Sequence, residues 1–380
     1  MFQRLLSPPK TSAFLLGPRG TGKSTWIAQA YPDAVRYDLL DTREALRLAR
    51  EPGLLFAELG ALRAGTWVIV DEIQKVPSLL DEVHRLMEEK KLRFLLSGSS
   101  ARKLRKGGAN LLAGRALNLE FFPLVSREMG RVPSLSELPS GMLPMAVTSD
   151  DAPAYLDAYC QTYLKEEIQA EALTRSIGSF ARFLEVAARQ NGMVTNTSNI
   201  ARDAQVARQT VQGYFDILVD TLLGYWLPAY KLKRATKVVA HPKFYFFDAG
   251  VARGLGARAA YPPTGEELGV LCETYLLHEI RAYLSYAKLR YPMHYFRTHN
   301  DVETDLLVET RKGFVAVEFK AATQWRNAWN RGFARLREEM PGKKLRCLGV
   351  YTGSRAAKSD DVEVVPYALF LKQLWDGSVL

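Results

Sequence analysis

The octapeptide Gly17-Pro18-Arg19-Gly20-Thr21-Gly22-Lys23-Ser24 dictates the backbone on either side of it. It lies inside "FLLGPRGTGKST" (Phe14–Thr25), which reads as an apolar strand, a glycine-rich loop and the opening of a helix. The spacing G-x-x-x-x-G-K-[ST] lets backbone N–H groups wrap a row of phosphates, because its glycines carry no side chain into the loop. Lys23 then reaches the terminal phosphates, and the Ser24 hydroxyl can ligate Mg2+. The predicted nucleotide contacts run from Gly17 through Thr25.

Three further apolar runs follow at the intervals a parallel sheet requires. "TWVIVDEIQ" (Thr66–Gln74) is a buried strand that ends in Asp71-Glu72, where the C-terminal end of such a strand meets a ligand. Asp71 is placed to hold Mg2+ from outside its ligand shell, and Glu72 to orient and deprotonate an attacking water. "RFLLSGSSARKL" (Arg93–Leu104) belongs between the first two strands, with Ser97 or Ser99 sensing the terminal phosphate. "LLAGRALNLEFFPL" (Leu111–Leu124) supplies a last strand with Arg115 ahead of it. Arg115 has two readings, an arginine finger supplied to a neighbouring subunit or a surface arginine. The run "RKLRKGG" (Arg102–Gly108) is a solvated loop or a phosphate contact.

The segments "GPRGTGKST", "VDEIQKVPSLL", "LSGSSARKL", "LAGRALNLEFFPLVSRE" and "RTHNDVETDLLVE" resemble a widespread bacterial and archaeal group of AAA-type ATP-binding proteins, whose C-terminal domain was long of unknown function. The resemblance spans nearly the whole chain. It implies an ATP-binding AAA module with extra strands, Asp71 and Glu72 as its acidic pair, and Arg115 at the group's Gly-Arg position. It implies no substrate.

With 380 residues, 47% hydrophobic and 24% charged, the chain is long enough for two or three cored domains. The net charge of +10 favours a polyanionic partner, nucleic acid first and an anionic membrane surface second. Cys160, Cys272 and Cys347 stand far apart, which suggests neither a disulfide framework nor a zinc site. No run of eighteen apolar residues occurs, and the opening residues lack the pattern of a signal peptide. The expectation is a cytoplasmic protein without membrane contact.

"RVPSLSELPSGMLP" (Arg131–Pro144) is expected as an irregular connector. Beyond it Tyr155, Leu156, Tyr159, Tyr163, Leu164 and Ile168 recur at helical spacing behind an Asp150-Asp151 cap, predicting a helical lid. "GMVTNTSNIARDAQVARQTVQGYFDILVDTLLGYWLPAY" (Gly192–Tyr230) has winged-helix order: a short helix capped by Ser198 or Asn199, a turn, a helix from about Ala207 to Val219, then two strand-like segments. Arg208, Gln209 and Gln212 sit at the solvent end of the second helix, and Lys231–Arg234 with Lys237 make the hairpin basic. Such a unit either contacts a DNA groove and its phosphates or packs against protein.

From about Glu266 a third unit begins. The helix "GVLCETYLLHEIRAYL" (Gly269–Leu284) carries Val270, Leu271, Leu276, Leu277, Ile280 and Leu284 on an apolar stripe, with Glu273 beside it. Strands follow in "MHYFRTH", "TDLLVE", "FVAVEFK" and "LRCLGVYTG", the last after a helix near "RGFARLREEM". Ala316, Glu318 and Lys320 share one strand face. A two-residue turn at Arg311-Lys312 or at Lys312-Gly313 sets Asp305 opposite Glu318 or opposite Lys320. Both registers gather the three charges on one face about 5–8 Å apart, whereas a three-residue loop disperses them. Two carboxylates so close call for a cation, and Mg2+ prefers such hard oxygens, with Glu273 as a further ligand. Asp305, then Glu318-x-Lys320, is similar to the PD-(D/E)xK nuclease core, although Thr304 stands where that core usually has proline. "QWRNAWNRGFAR" (Gln324–Arg335) and Lys343-Lys344 suit a nucleic-acid backbone or a solvated helix face.

The expected fold is therefore α/β: a P-loop AAA-type ATPase with a parallel sheet (1–130), linker and helical lid (131–190), winged helix (191–250), and a C-terminal α/β restriction-endonuclease-like domain (260–380). The expected catalytic residues are Glu72, Arg115, Asp305, Glu318 and Lys320. Metal is expected at Ser24 and Asp71, and at Glu273, Asp305 and Glu318, as Mg2+ or Mn2+. DNA is the expected partner, homo-oligomers are possible, and cutting competes with a regulatory switch that binds without cutting.

Overall fold

The computed structural model describes residues 2–100, 112, 114–163, 177–231 and 241–380. Two compact units result, Met1–Leu124 with Asp216–Leu223, and Val125–Phe215 with Gly224–Leu380. Four segments were expected, so the grouping is coarser than the sequence suggested.

In the first unit β1 (Ala13–Leu16) leads through the glycine loop into α1 (Lys23–Ala30), followed by β2 (Val35–Asp38), α2 (Thr42–Arg50), α3 (Gly53–Leu59), β3 (Trp67–Asp71), α4 (Leu79–Glu89), β4 (Arg93–Gly98) and β5 (Leu117–Glu120). The sheet order is β2-β3-β4-β1-β5, parallel throughout. Placing β4 between β1 and β3, as its apolar run required, sets the C-terminal ends of all three at one edge. Val68, Val70, Phe94 and Leu96 are buried in a core that α4 closes with Leu79, Leu80, Val83 and Leu86. The edge strand β2 and the helices α2 and α3 were not anticipated, because β2 is only four residues and half of them are exposed.

The second unit opens with α5 (Ser126–Met129), α6 (Pro144–Thr148) and α7 (Ala152–Ala158), the last capped by Asp151 as expected. The stretch expected as a connector is instead packed. Leu138 and Leu143 are buried, the Met142 amide donates to Asp248 at 2.6 Å, and Tyr367 donates to the Pro133 carbonyl. The buried side chains of Leu138, Met142 and Leu143, set among prolines and serines in the sequence, supply the reason. Leu156 and Tyr159 of the proposed lid stripe are buried, whereas Leu164 and Ile168 lie outside the described residues.

Next come α8 (Ile177–Arg189), α9 (Thr197–Asp203), α10 (Arg208–Asp220) and the antiparallel pair β6 (Gly224–Leu227) and β7 (Lys243–Phe246). Asn196, not Ser198 or Asn199, caps α9, accepting from both of their amides at 3.0 and 3.2 Å. The helices are pinned to the hairpin by rings: Phe183 meets Phe215 at 4.9 Å, and Phe215 meets Phe244 at 4.7 Å. Most of the basic hairpin segment, Leu232–Arg234 and Lys237, is outside the described residues, as is the run Arg102–Gly108.

The chain continues with α11 (Ala249–Leu255), the 22-residue α12 (Gly265–Tyr286), β8 (Met293–Arg297), β9 (Glu303–Thr310), β10 (Gly313–Lys320), α13 (Arg331–Glu339), β11 (Leu345–Tyr351), β12 (Ala357–Ser359), β13 (Val362–Pro366) and α14 (Tyr367–Trp375). The sheet is mixed, in the order β12-β13-β11-β10-β9-β8. The β9–β10 hairpin has Thr310 opposite Gly313, hence the Arg311-Lys312 turn, one of the two registers open to the sequence. Phe333 and Leu336 of α13 cover the face bearing Leu307 and Ala316, and Phe370 of α14 meets Phe319 on the other. Among the buried carboxylates not read from the sequence is Glu279. Glu279 on α12 accepts from the Ser126 amide at 2.6 Å, from Trp375 Nε1 at 2.6 Å and from the Tyr275 hydroxyl, and burial pushes its pKa up.

Candidate functional site

The glycine loop is held by contacts that only glycine tolerates. A side chain at Gly17 would run into the Phe121 carbonyl, and Gly20 and Gly22 lie at φ 75° and 90°, in the left-handed region. Arg4 braces the loop by donating to the Thr21 and Phe122 carbonyls, both at 2.6 Å. Buried Lys23 directs its Nζ at the Gly17 carbonyl (2.7 Å) and the Pro18 carbonyl (3.0 Å). It is thereby folded into the loop that phosphates would fill. Ser24 and Thr25 are exposed at the first turn of α1, where the helix dipole favours an anion.

Across the loop, Asp71 accepts from the Ser24 hydroxyl at 3.0 Å and from the Ser97 hydroxyl. Ser24 and Asp71 thus present two hard oxygens that fit Mg2+. Glu72 takes a left-handed backbone at φ 56°, an uncommon conformation for a non-glycine residue. Its carboxylate, buried, accepts from the Ser99 hydroxyl at 3.1 Å and from Gln74 Nε2, and Gln74 also donates to Ser99 at 3.1 Å. Gln74 was not anticipated as a site residue, although it stands two positions beyond Glu72 on the same apolar run. Arg115 is exposed and pairs with Glu88 at 2.6 Å.

In the second unit Asp305, Glu318 and Lys320 converge on one face. Lys320 Nζ is 2.6 Å from Glu318 and 3.6 Å from Asp305. The paired register of β9 and β10 runs as far as Leu306 and Val317. Beyond it side chains take over: the Phe319 amide donates to Asp305 at 2.8 Å and the Asp305 amide to Glu318 at 3.4 Å. Burial, then repulsion from Asp305, pushes the Glu318 carboxyl up to about 8, with Lys320 opposing. Burial alone would lower the Lys320 ammonium, but Asp305 and Glu318 outweigh it and hold it above the ordinary lysine range.

Glu273 does not join that pair. Its carboxylate is engaged by Lys243 at 3.2 Å and by the Tyr245 hydroxyl, and among the described residues no three His, Cys, Asp or Glu side chains are grouped to hold a metal ion. The expected three-carboxylate metal site is therefore corrected to two carboxylates with Lys320 between them. Lys243, reaching in from β7, was missed because it is thirty residues before Glu273 and nothing local marks it. Burial raises the Glu273 carboxyl to about 6 against the pull of Lys243, with Asp305 adding to the rise.

Comparison with known proteins divides the chain in three. Residues 10–130 match a family described as an AAA domain, residues 138–261 a domain of unknown function (DUF8612), and residues 268–370 a domain of unknown function (DUF4143). Together with the phosphate-loop geometry, the first match supports an AAA-type ATPase domain. Uncharacterized proteins of Mycobacterium tuberculosis and Mycobacterium bovis are each 28% identical over 306 residues, 78% of this chain and 67% of theirs. Among solved structures, the Aeropyrum pernix Orc1 protein in complex with DNA aligns over 66% of this chain and 87% of its own, at 14% identity and a TM-score of 0.27. Can2 from Sulfobacillus thermosulfidooxidans, in complex with cyclic tetra-adenylate, aligns over 96% and 97%, at 12% identity and a TM-score of 0.21. No helix among the described residues is long and apolar enough to cross a membrane.

Proposed function

We propose that this chain is an ATP-hydrolysing AAA-type protein that binds DNA and cuts it with its C-terminal domain under control of the nucleotide. The observation that carries the ATPase part is Asp71, held by the hydroxyls of Ser24 and Ser97 beside the glycine loop. Gly17 to Thr25 would bind the phosphates, Ser24 and Asp71 would hold Mg2+, and Ser97 would report the terminal phosphate. Glu72 would orient the attacking water, and Arg115 would act on the nucleotide of a second copy. Replacing Glu72 by Gln is expected to abolish turnover while nucleotide binding persists. Full turnover in that variant removes the role.

DNA binding is supported by the net charge of +10 and by the helix, turn, helix, hairpin order of a winged helix, with Arg208, Gln209 and Gln212 exposed at the start of α10. Cutting is supported by Asp305 and Glu318 on one face, two hard carboxylates that fit one Mg2+ or Mn2+ completed by waters. An ion there would supply an acidified water and a counter-charge for the leaving oxygen. Lys320 must swing off the two acids to admit it, and its ammonium is then free to position the nucleophile. The test uses supercoiled and linear DNA with divalent metal, with and without ATP. Cutting that survives Lys320→Ala sinks the site.

A second reading is a regulatory switch that binds DNA or a protein without cutting. It is favoured by the cations already present, since Lys320 lies 2.6 Å from Glu318, and Lys243 and Arg297 pair with Glu303 on the same strand as Asp305 at 2.6 and 3.2 Å. Tight DNA binding without cleavage under any metal selects it.

A further inference from the structure

Lys243 is a buried ammonium with no part in the cutting chemistry proposed above. Its side chain is 5% exposed, and its Nζ lies 2.6 Å from Glu303 on β9 and 3.2 Å from Glu273 on α12. It also stands 5.4 Å from the Tyr295 ring centroid, a further contact for a cation. The backbone that delivers it is pinned on both sides. Lys243 pairs with Leu227 of β6 and bridges to Val194, and the neighbouring Pro242 carbonyl accepts from the Thr195 amide at 2.9 Å. An ammonium fixed in this way does not wander, and burial makes its two carboxylate partners obligatory.

Glu303 belongs to the same face as the proposed cutting site. It is two residues before Asp305, so their side chains share a strand face. It also pairs with Arg297 at 3.2 Å, through the oxygen that Lys243 leaves. Glu273 gives one oxygen to Lys243 and to the Tyr245 hydroxyl. Both glutamates close to Asp305 are thus committed to a fixed organic cation.

We propose that Lys243 is a positioning residue that keeps Glu273 and Glu303 out of metal ligation, so that the acid face takes one divalent ion, at Asp305 and Glu318, and not two. This rests on the cutting site proposed above. In chemical terms the ammonium of β7 occupies the two carboxylates, Glu273 and Glu303, that a second metal would need. Removing it leaves Glu273 without a cation and Glu303 with Arg297 alone, and a divalent ion becomes the cheapest way to restore the charge balance.

The experiment counts Mn2+ by its free-ion spin-resonance signal, in a chain carrying Asp71→Asn so that the nucleotide site contributes none. With Lys243 present, one Mn2+ per chain is expected, lost in Glu318→Gln and kept in Glu303→Gln. Lys243→Met is expected to bind a second ion, and Lys243→Arg to keep one. A role in stability alone would lower metal binding in Lys243→Met, not raise it. One ion in both proteins, lost in Glu318→Gln, overturns the inference while sparing the cutting site. No Mn2+ in either protein overturns both. Should Lys243→Met fail to fold, the chain with Lys243 decides: two ions there, or loss of the ion in Glu303→Gln, overturn the proposal.

Discussion

The two acid sites of this molecule are held by opposite kinds of donor. At the glycine loop, Asp71 and Glu72 accept from neutral groups, the hydroxyls of Ser24, Ser97 and Ser99 and the amide of Gln74. At the C-terminal sheet, Glu318, Asp305, Glu273 and Glu303 are held by the ammonium groups of Lys320 and Lys243. Neutral donors orient a carboxylate and leave its charge intact, so the Mg2+ proposed at the glycine loop would meet acids with no cation of the protein to displace among the described residues. Charged donors cancel it, so an ion proposed for the C-terminal acids would have to displace a cation of the protein. Residue type alone does not distinguish the two, because both are pairs of acids at a strand end.

The contrast can be broken at several points. The largest effect is expected for Lys23→Ala, which removes the charge that meets the phosphates. ATP turnover should fall at least about 100-fold and nucleotide affinity should drop with it, read by steady-state hydrolysis and fluorescent-nucleotide titration. Next is Lys320→Ala, which strips the cation from two buried acids. Unfolding by urea should show a loss of about 2 kcal/mol, at the lower side for a broken buried pair because Lys320 is partly exposed. Millimolar Mg2+ should restore part of that loss, and equal destabilisation with and without Mg2+ would remove the displacement idea.

A smaller effect concerns pH. Asp248 is buried beneath the amides of Met142 and Val251, and burial raises its pKa to about 6 although those amides oppose the rise. The folded form therefore keeps a proton that the unfolded chain releases earlier. Stability should fall as pH rises from the ordinary aspartate range to about 6, and Asp248→Asn should flatten that slope in thermal melts. The smallest effect is that of Arg115→Ala on stability. The exposed pair with Glu88 is screened by water, so the melting temperature should not move. A fall in ATP turnover at unchanged melting temperature would then mark Arg115 as acting on nucleotide, and its rescue by mixing with a Glu72→Gln chain would locate that nucleotide in a second copy.

What could be read in advance followed from short-range rules. The glycine loop, the acids ending β3 and the place of β4 came from apolar runs and turn residues within about ten positions of one another. Strand alternation narrowed the hairpin to two registers, and the structure selects the one with the turn at Arg311-Lys312. What could not be read was set by partners far along the chain. Lys243 meets Glu273 and Glu303, Glu279 meets Ser126 and Trp375, and Leu138 is buried within a stretch whose prolines and serines suggested a spacer. The cap of α9 was misplaced by two or three residues because the four consecutive polar residues Asn196–Asn199 are each competent to cap, and only backbone conformation selects Asn196.

Glu279 bears on the order in which the chain can mature on the ribosome. All five strands of the first sheet have been synthesised once Glu120 has emerged, so that sheet can close early. The Glu279 carboxylate must wait nearly a hundred further residues for the indole of Trp375. Until then a buried acid is short of one of its three donors, and the second unit stays open to chaperones and proteases after the first sheet can close.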